Sequence, residues 1–137
     1  MRRTVARRSL SPAMLPAAAL GLTLLLGACG GGGGGGGKTV TATNGKVSVQ
    51  AHDISFNVKQ IDAQPGKLDV TLEEKGSLDH TFVVQNSDDK DVGKKLAVSG
   101  GKGSSSGTFD LSPGTYTFFC DIPGHRGQGM EGKIVVK

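Results

Sequence analysis

Apolar and polar residues alternate along most of the chain beyond residue 45. The alternation is clear in seven short segments, which are residues 47–49, 54–58, 68–72, 82–84, 109–111, 116–118 and 134–136. A period of two is expected of strands that turn one face to a core, and Gly, Pro, Asn and Asp residues separate the segments. The pattern therefore predicts an all-β chain, folded as a β-sandwich of about seven to eight strands.

Two stretches of the same region lack this alternation. Residues 88–96 are expected to form a short turn of helix. Residues 99–107 consist largely of Gly and Ser, and we expect a mobile loop there. No segment shows a convincing helical stripe of apolar residues.

The beginning of the chain has a different composition. Four arginines within residues 2–8 precede an apolar run over residues 13–28, and small residues end this run directly before Cys29. The pattern indicates a secretory signal peptide over residues 1–28. The motif Leu26-Gly27-Ala28-Cys29 resembles a bacterial lipobox, which implies cleavage before Cys29 and a lipid on its thiol. A transmembrane anchor is less favoured, because the run is shorter than the ~20 residues of a spanning helix.

An unbroken run of glycines follows Cys29 and ends at Gly37. Such a run behaves as a flexible tether, so residues 29–37 are interpreted as a lipidated cysteine with its linker and residues 38–137 as the folded domain. The whole sequence has a net charge of +4, but its four leader arginines account for the excess of basic residues. The remaining chain is near neutral, and no basic patch argues for nucleic acid.

Four side chains suited to a soft metal ion lie in the second half of the chain. Cys120, His125 and Met130 follow one another at five-residue intervals on a Gly/Pro-rich loop, and His80 opens a predicted strand. If the strands ending at Cys120 and beginning at His80 run antiparallel, both side chains reach the same end of the sandwich. One thiolate, two imidazoles and one thioether form the ligand set of a mononuclear blue-copper site. Zinc is the rival ion, but a thioether is a poor zinc ligand.

Residues 116–136, together with His80-Thr81-Phe82, resemble the cupredoxin family, especially its plastocyanin, auracyanin and halocyanin branches. The resemblance extends over about residues 46–137 and implies a Greek-key β-sandwich with one type 1 copper ion. It further implies that His80, Cys120 and His125 are equatorial ligands and that Met130 is axial. Thr81 stands where family members often have Asn, and Asp121 stands where small neutral or hydroxyl residues are common. These two departures bear on the reduction potential rather than on the ligand set.

The expected function is electron transport by a protein tethered to a membrane. The ligand set leaves no open position for a substrate, which argues against an enzyme. We expect a monomer that meets exported or membrane-bound redox proteins transiently, lipid-anchored at the outer face of the bacterial cell membrane or in the periplasm. The alternative is a copper-binding protein for storage, delivery or resistance. It is less favoured because Met130 is the only methionine beyond the leader. A copper-free interaction module has no need of all four ligand types.

Three other polar residues are interpreted without a role in chemistry. His52 has no partner motif and is expected at the surface. Glu73 and Glu74 are neighbours on a predicted strand, so their side chains point to opposite faces and do not form a catalytic pair.

Overall fold

A computed structural model describes residues 37–137 of the chain, and ten β-strands account for most of this part. The strands are Thr39–Thr41 (β1), Lys46–His52 (β2), Ser55–Phe56 (β3), Gln60–Ala63 (β4), Gly66–Glu74 (β5), His80–Gln85 (β6), Leu96–Val98 (β7), Gly103–Leu111 (β8), Gly114–Phe119 (β9) and Glu131–Val136 (β10). Within the described residues, the only helical element is a 3-10 turn at Arg126–Gln128. No helix in this part is long and apolar enough to cross a membrane.

The strands form two sheets that face each other as a Greek-key β-sandwich, which confirms the predicted fold class. One sheet has the order β1-β4-β10-β9-β6-β7, and the other has the order β3-β2-β5-β8. Three strands, β1, β4 and β7, lie outside the seven alternating segments. Each is only three or four residues long, which is too short for a period of two to stand out.

Aromatic residues fill the space between the two sheets. The rings of Phe56, Phe82, Phe109 and Phe118 lie at centroid distances of 5.0 to 6.1 Å from their neighbours, mostly edge to face. All four are buried in the core with the branched aliphatic residues of both sheets. Such aromatic pairs contribute about 0.5–1.5 kcal/mol each beyond the area that they bury. This packed core fixes the positions of the strands, so side chains at the ends of the sandwich project from a fixed backbone.

The strands that flank the candidate metal ligands are antiparallel neighbours, which is the condition named above for bringing both ligands together. Strand β6 pairs with β9 through Val83 opposite Phe119 and Val84 opposite Phe118. His80 is the first residue of β6, and Cys120 directly follows the last residue of β9. Both side chains therefore lie at the same end of the sandwich.

The two segments without alternation differ from their predictions. Residues 103–107, expected in a mobile loop, begin strand β8 and pair in register with β5, Gly103 lying opposite Glu74. The small residues suit this strand because β7 passes closely over it: a Cβ at Gly107 would lie 2.7 Å from Leu96 Cδ2. Residues 88–96 form no helix. They follow β6 in turns and bends, with the Val92 amide donating to the Val84 carbonyl at 2.8 Å.

The predictions made for the beginning of the chain remain predictions. The signal peptide at residues 1–28 and the lipidation site at Cys29 lie outside the described residues. Of the predicted tether at residues 29–37, only Gly37 is described.

Candidate metal centre

Three candidate ligands converge at one end of the sandwich. Donor atoms of His80, Cys120 and His125 all lie within 4.8 Å of one another. Cys120 Sγ is 3.4 Å from His125 Nδ1, and the two imidazole rings have centroids 5.2 Å apart. Bonds of about 2.0–2.3 Å from nitrogen and sulfur to one ion fit between atoms at such distances. The arrangement can therefore hold a single metal ion.

The loop between β9 and β10 is shaped by its own backbone. The His125 amide donates to the Ile122 carbonyl at 3.0 Å, and the 3-10 turn follows directly. Gly124 and Gly129 have φ angles of 87° and 91°, a region that favours glycine. Gly127, by contrast, lies within the 3-10 turn and has no positive φ. Two left-handed glycines therefore bracket the turn that carries His125.

Met130 lies where this loop returns to the core. Its side chain is fully buried. Its amide donates to the His125 carbonyl at 3.1 Å, and its carbonyl accepts from the Cys120 amide at 3.1 Å. The backbone of Met130 is thus tied to both loop ligands, which sets the thioether residue beside them.

A lysine from the other half of the chain supports the loop. Lys59, between β3 and β4, donates from Nζ to the carbonyls of Gly129 and Glu131, the latter at 3.1 Å. These two carbonyls stand on either side of Met130. The Lys59 carbonyl also accepts from the Lys133 amide at 2.9 Å. Sequence reasoning missed this residue, because nothing in a lone lysine between two strands signals a partner seventy residues away.

Thr81 joins the two strands that carry His80 and Cys120. Its amide lies 3.4 Å from Cys120 Sγ and donates to it, and its hydroxyl lies 3.5 Å from the same sulfur. The hydroxyl also donates to Asp121 Oδ1 at 2.7 Å and accepts from the Asp121 amide at 2.9 Å. Thr81 thus connects the ligand strands.

Both charges that flank the loop ligands are paired. Asp121 Oδ2 lies 2.7 Å from Lys95 Nζ, and this hydrogen bond holds the pKa of Asp121 below its usual value. Arg126 Nε lies 2.9 Å from Glu131 Oε2, and its guanidinium carbon is 4.1 Å from the centroid of the Phe119 ring. These pairs are exposed, so their electrostatic effect on the site is screened by water.

His80 and His125 have different surroundings. His80 is 1% exposed, and neither of its ring nitrogens has a hydrogen-bond partner in the part of the chain that the structure describes. Burial lowers the pKa of His80 below the usual value, although Glu74 acts in the other direction, so the ring favours the neutral form that binds metals. His125 is only partly buried. An imidazole with two unpartnered nitrogens in the interior costs free energy unless one of them binds an ion.

These residues fit a copper ion. His80 supplies an unsatisfied imidazole, Cys120 a buried sulfur that accepts hydrogen bonds, and His125 a second imidazole. Met130 adds a buried thioether. A set of one thiolate, two imidazoles and one thioether suits copper in both of its common oxidation states better than it suits zinc.

A buried carboxylate beside His80 was also missed by sequence reasoning. Glu74 is 3% exposed, and its Oε2 lies 3.8 Å from His80 Nε2. A signal was present in the sequence, because Glu74 continues the alternation of Leu68, Val70 and Leu72 on the inward face of β5. An acidic residue at the end of an inward apolar row is a candidate for a functional role.

The remaining polar residues lie as predicted. His52 is exposed on β2. Glu73 points away from the interior, where it accepts a hydrogen bond from Ser48 at 2.8 Å and pairs with Lys75 at 2.8 Å.

Solved structures of copper proteins resemble this chain. Dithionite-reduced auracyanin from Roseiflexus castenholzii is 22% identical over 70% of this chain and 98% of its own, with a TM-score of 0.57. Rusticyanin from Thiobacillus ferrooxidans is 27% identical over 74% of this chain and 86% of its own, with a TM-score of 0.57. Auracyanin A, a "blue" copper protein from Chloroflexus aurantiacus, is 16% identical over 73% and 100%, with a TM-score of 0.56. The likeness to the two auracyanins supports the fold alone.

A family model provides the assignment. The model for copper binding proteins of the plastocyanin/azurin family matches residues 43–137. This range includes all four candidate ligands and every strand except β1. The match agrees with the donor set at the end of the sandwich, and it makes copper the metal of this site. The chain belongs to the plastocyanin/azurin family of copper-binding proteins.

Proposed function

We propose that this protein carries single electrons between redox proteins while a lipid on Cys29 holds it at a membrane. One observation carries the electron-transfer part. His80, Cys120 and Met130 are buried at 1% exposure or less, whereas His125 of the same cluster is partly exposed. Copper, when bound, supplies a one-electron redox couple in this cluster. Burial excludes solvent from the site, and the His125 ring provides a short path to the surface.

Backbone hydrogen bonds of the protein itself hold the ligand residues in place. His80 is part of a strand ladder, in which it lies opposite Val98 of β7. Cys120 and Met130 are joined by a backbone hydrogen bond, and Met130 is joined to His125 in the same way. A site that keeps its shape in two oxidation states has a small reorganisation cost, which favours fast electron transfer. The full ligand set leaves no position for a substrate, which supports a carrier rather than an enzyme.

Transient redox partners would dock around His125. Ile122 is partly buried beside the core, while Pro123 and Gly124 are exposed next to the histidine. Small and apolar residues at this position suit brief contact with another protein. The near-neutral chain beyond the leader predicts little long-range steering of partners, and it gives no reason to expect nucleic acid. The working form in this proposal is a monomer.

The anchor would place the domain outside the cytoplasm. The lipobox-like motif before Cys29 and the glycines that follow it support export, lipidation and a flexible connection to the outer face of the cell membrane or a periplasmic location. Confinement to a surface raises the effective concentration at membrane-bound partners.

Repeated redox cycling of the copper-loaded full chain tests electron transport. The expected result is a reversible one-electron wave in voltammetry, with an intense blue colour that disappears on reduction and returns on oxidation. A Cu(I) chelator present throughout tests the storage or delivery alternative. Loss of copper to the chelator in each reduced phase would support delivery and contradict the carrier proposal.

The two cysteines of the chain test the anchor separately from the site. Cys29→Ala should abolish lipidation, seen by intact mass and membrane fractionation, and leave the blue colour unchanged. Cys120→Ala is the matched control, since it should stay in the membrane fraction without colour. A native protein cut at another residue and free of lipid would refute the anchor and leave the copper site untouched.

A further inference from the structure

Glu74 is a buried acid whose carboxylate is only half satisfied. It ends strand β5 on the inward face, at the same end of the sandwich as the candidate ligands, with 3% of its surface exposed. Its Oε1 accepts a hydrogen bond from the Gly76 amide at 2.6 Å. Its Oε2 has no hydrogen-bond partner among residues 37–137. A buried carboxylate oxygen without a partner is costly, so this position calls for a physical reason.

The nearest candidate donor is the ring of His80. Oε2 of Glu74 lies 3.8 Å from Nε2 of His80, and both side chains are fully enclosed. This distance is longer than a hydrogen bond and too short to admit a water molecule between the two atoms. A small rotation of the ring or of the carboxylate brings Nε2 and Oε2 into hydrogen-bond contact.

Three buried side-chain atoms among the described residues lack a partner, and all three belong to this pair. They are Glu74 Oε2, His80 Nε2 and His80 Nδ1. A hydrogen bond from Nε2 to Oε2 satisfies two of them. The third, Nδ1, then carries no proton and has its lone pair free for a metal ion. One hydrogen bond and one metal bond account for every unsatisfied atom in the set.

We propose that Glu74 is a positioning residue for the copper site, which accepts the Nε2 proton of His80 and thereby presents Nδ1 to the metal. This inference rests on the family's copper site and goes beyond the ligand set. A carboxylate behind a metal-binding histidine fixes the ring's tautomer and orientation and makes the imidazole a stronger donor.

The charge of Glu74 has a further consequence. Asp121 is also an acid near the site, but it is paired with Lys95 and partly exposed, so its field is weakened. Within residues 37–137, Glu74 has no basic partner at ion-pair distance other than His80. An enclosed negative charge stabilises Cu(II) more than Cu(I), since the ion of higher charge gains more from it. Glu74 therefore lowers the reduction potential.

A purely structural role makes a different prediction. The bond from the Gly76 amide to Oε1 closes the turn after β5, and a neutral amide side chain can accept the same bond. If this bond were the only purpose of Glu74, Glu74→Gln would leave the His80 ring and the copper unaffected.

Glu74→Gln in the full chain is the primary test, because it keeps the shape and removes the charge. We expect the Cu(II) affinity to fall about tenfold relative to the Cu(I) affinity, which corresponds to a potential higher by about 59 mV. In NMR spectra of the Cu(I) form, the His80 Nε2 proton should move upfield because an amide oxygen is the weaker acceptor. Glu73→Gln is the matched control on the same strand, and its outward side chain should leave both measurements unchanged.

Gly76→Ala provides a second variant that does not alter the carboxylate itself. A methyl group at this position would lie 2.9 Å from the Asp53 amide nitrogen and 3.2 Å from Glu74 Oε1, so the carboxylate must shift. We expect the His80 Nε2 resonance to move, with a smaller change in potential than in Glu74→Gln. Unchanged Nε2 resonances and affinity ratios in either folded variant would overturn the proposal. Electron transport would be unaffected by that failure, because blue colour and redox cycling would persist.

Discussion

The two histidines of the copper site differ in how the fold supplies them. His80 belongs to a strand, is 1% exposed and faces a buried carboxylate. His125 belongs to a loop, is partly exposed and lies 3.4 Å from the cysteine sulfur. The strand side of the site, which is His80, is placed by the hydrogen-bond ladder of a whole sheet. The loop side, which comprises Cys120, His125 and Met130, is placed by a few local backbone bonds and two left-handed glycines. His80 is therefore held rigidly inside the sandwich, whereas His125 connects the site with the protein surface.

Removal of the thiol is the most severe change to the loop side. In Cys120→Ala we expect complete loss of the blue colour, because the thiolate is the origin of the charge-transfer band. The sandwich should remain folded, since the β6–β9 ladder does not depend on this sulfur. Visible absorption and circular dichroism check the two halves of the prediction. Persistence of the colour would show that another residue supplies the thiolate.

Removal of copper should weaken the loop side more than the strand side. Free copper at one hundred times its dissociation constant stabilises the folded state by about 2.7 kcal/mol. For a domain of this size, the melting temperature of the copper-free protein should be lower by roughly 10–20 °C. Hydrogen exchange should speed up at the amides of Gly129 and Met130 before those of Phe82 and Val84. An equal loss of hydrogen-exchange protection at both pairs of amides would contradict the difference between the loop side and the strand side.

The pH dependence of the stability of the copper-free protein tests whether His80 is enclosed in the folded state. Its pKa is lowered in the folded chain, while the unfolded chain binds the proton near the ordinary pKa of about 6.5. The unfolded state thus binds more protons below that pH, and the free energy of unfolding should fall as pH falls through 6.5. The slope from one group is at most about 1.4 kcal/mol per pH unit.

Thermal melts between pH 7.5 and pH 5 measure this slope. His80→Gln should reduce it, whereas His52→Gln, which changes an exposed histidine, should leave it unchanged. Copper loading should steepen the curve, because a ligated ring cannot take up the proton in the folded state while the unfolded chain, which has released the metal, still does. Stability that rises on acidification would contradict the assignment.

The smallest expected effects come from the exposed charges next to the loop ligands. Asp121→Asn removes a negative charge and should raise the reduction potential, while Arg126→Gln removes a positive charge and should lower it. Each charge is paired and exposed, so each shift should correspond to less than about 1 kcal/mol. Voltammetry in low and high salt measures the sign of each shift in potential and how far salt screens it. Shifts of reversed sign would show that lost hydrogen bonds, such as that from Thr81 to Asp121, dominate over charge.

The ligand set and the sandwich could be predicted because both rest on local patterns. Cys120, His125 and Met130 share one short loop, and inward apolar rows identify strands without reference to their partners. The strand at residues 103–107 could not be predicted, because a Gly/Ser segment has little strand preference and pairs only because β5 lies beside it. The role of Glu74 depends on which strand end faces His80. Such contacts between distant parts of the chain are set by the whole fold rather than by any segment.

The lysine beneath the loop has a consequence for the order of assembly. Lys59 donates to carbonyls 70 and 72 residues further along the chain, and those carbonyls flank Met130. The loop therefore reaches its final shape only after the segment between β3 and β4 has met the start of the last strand, β10. Contacts between such distant residues form late and slowly. The four ligands are then expected to converge on copper after β4 and β10 have paired rather than before.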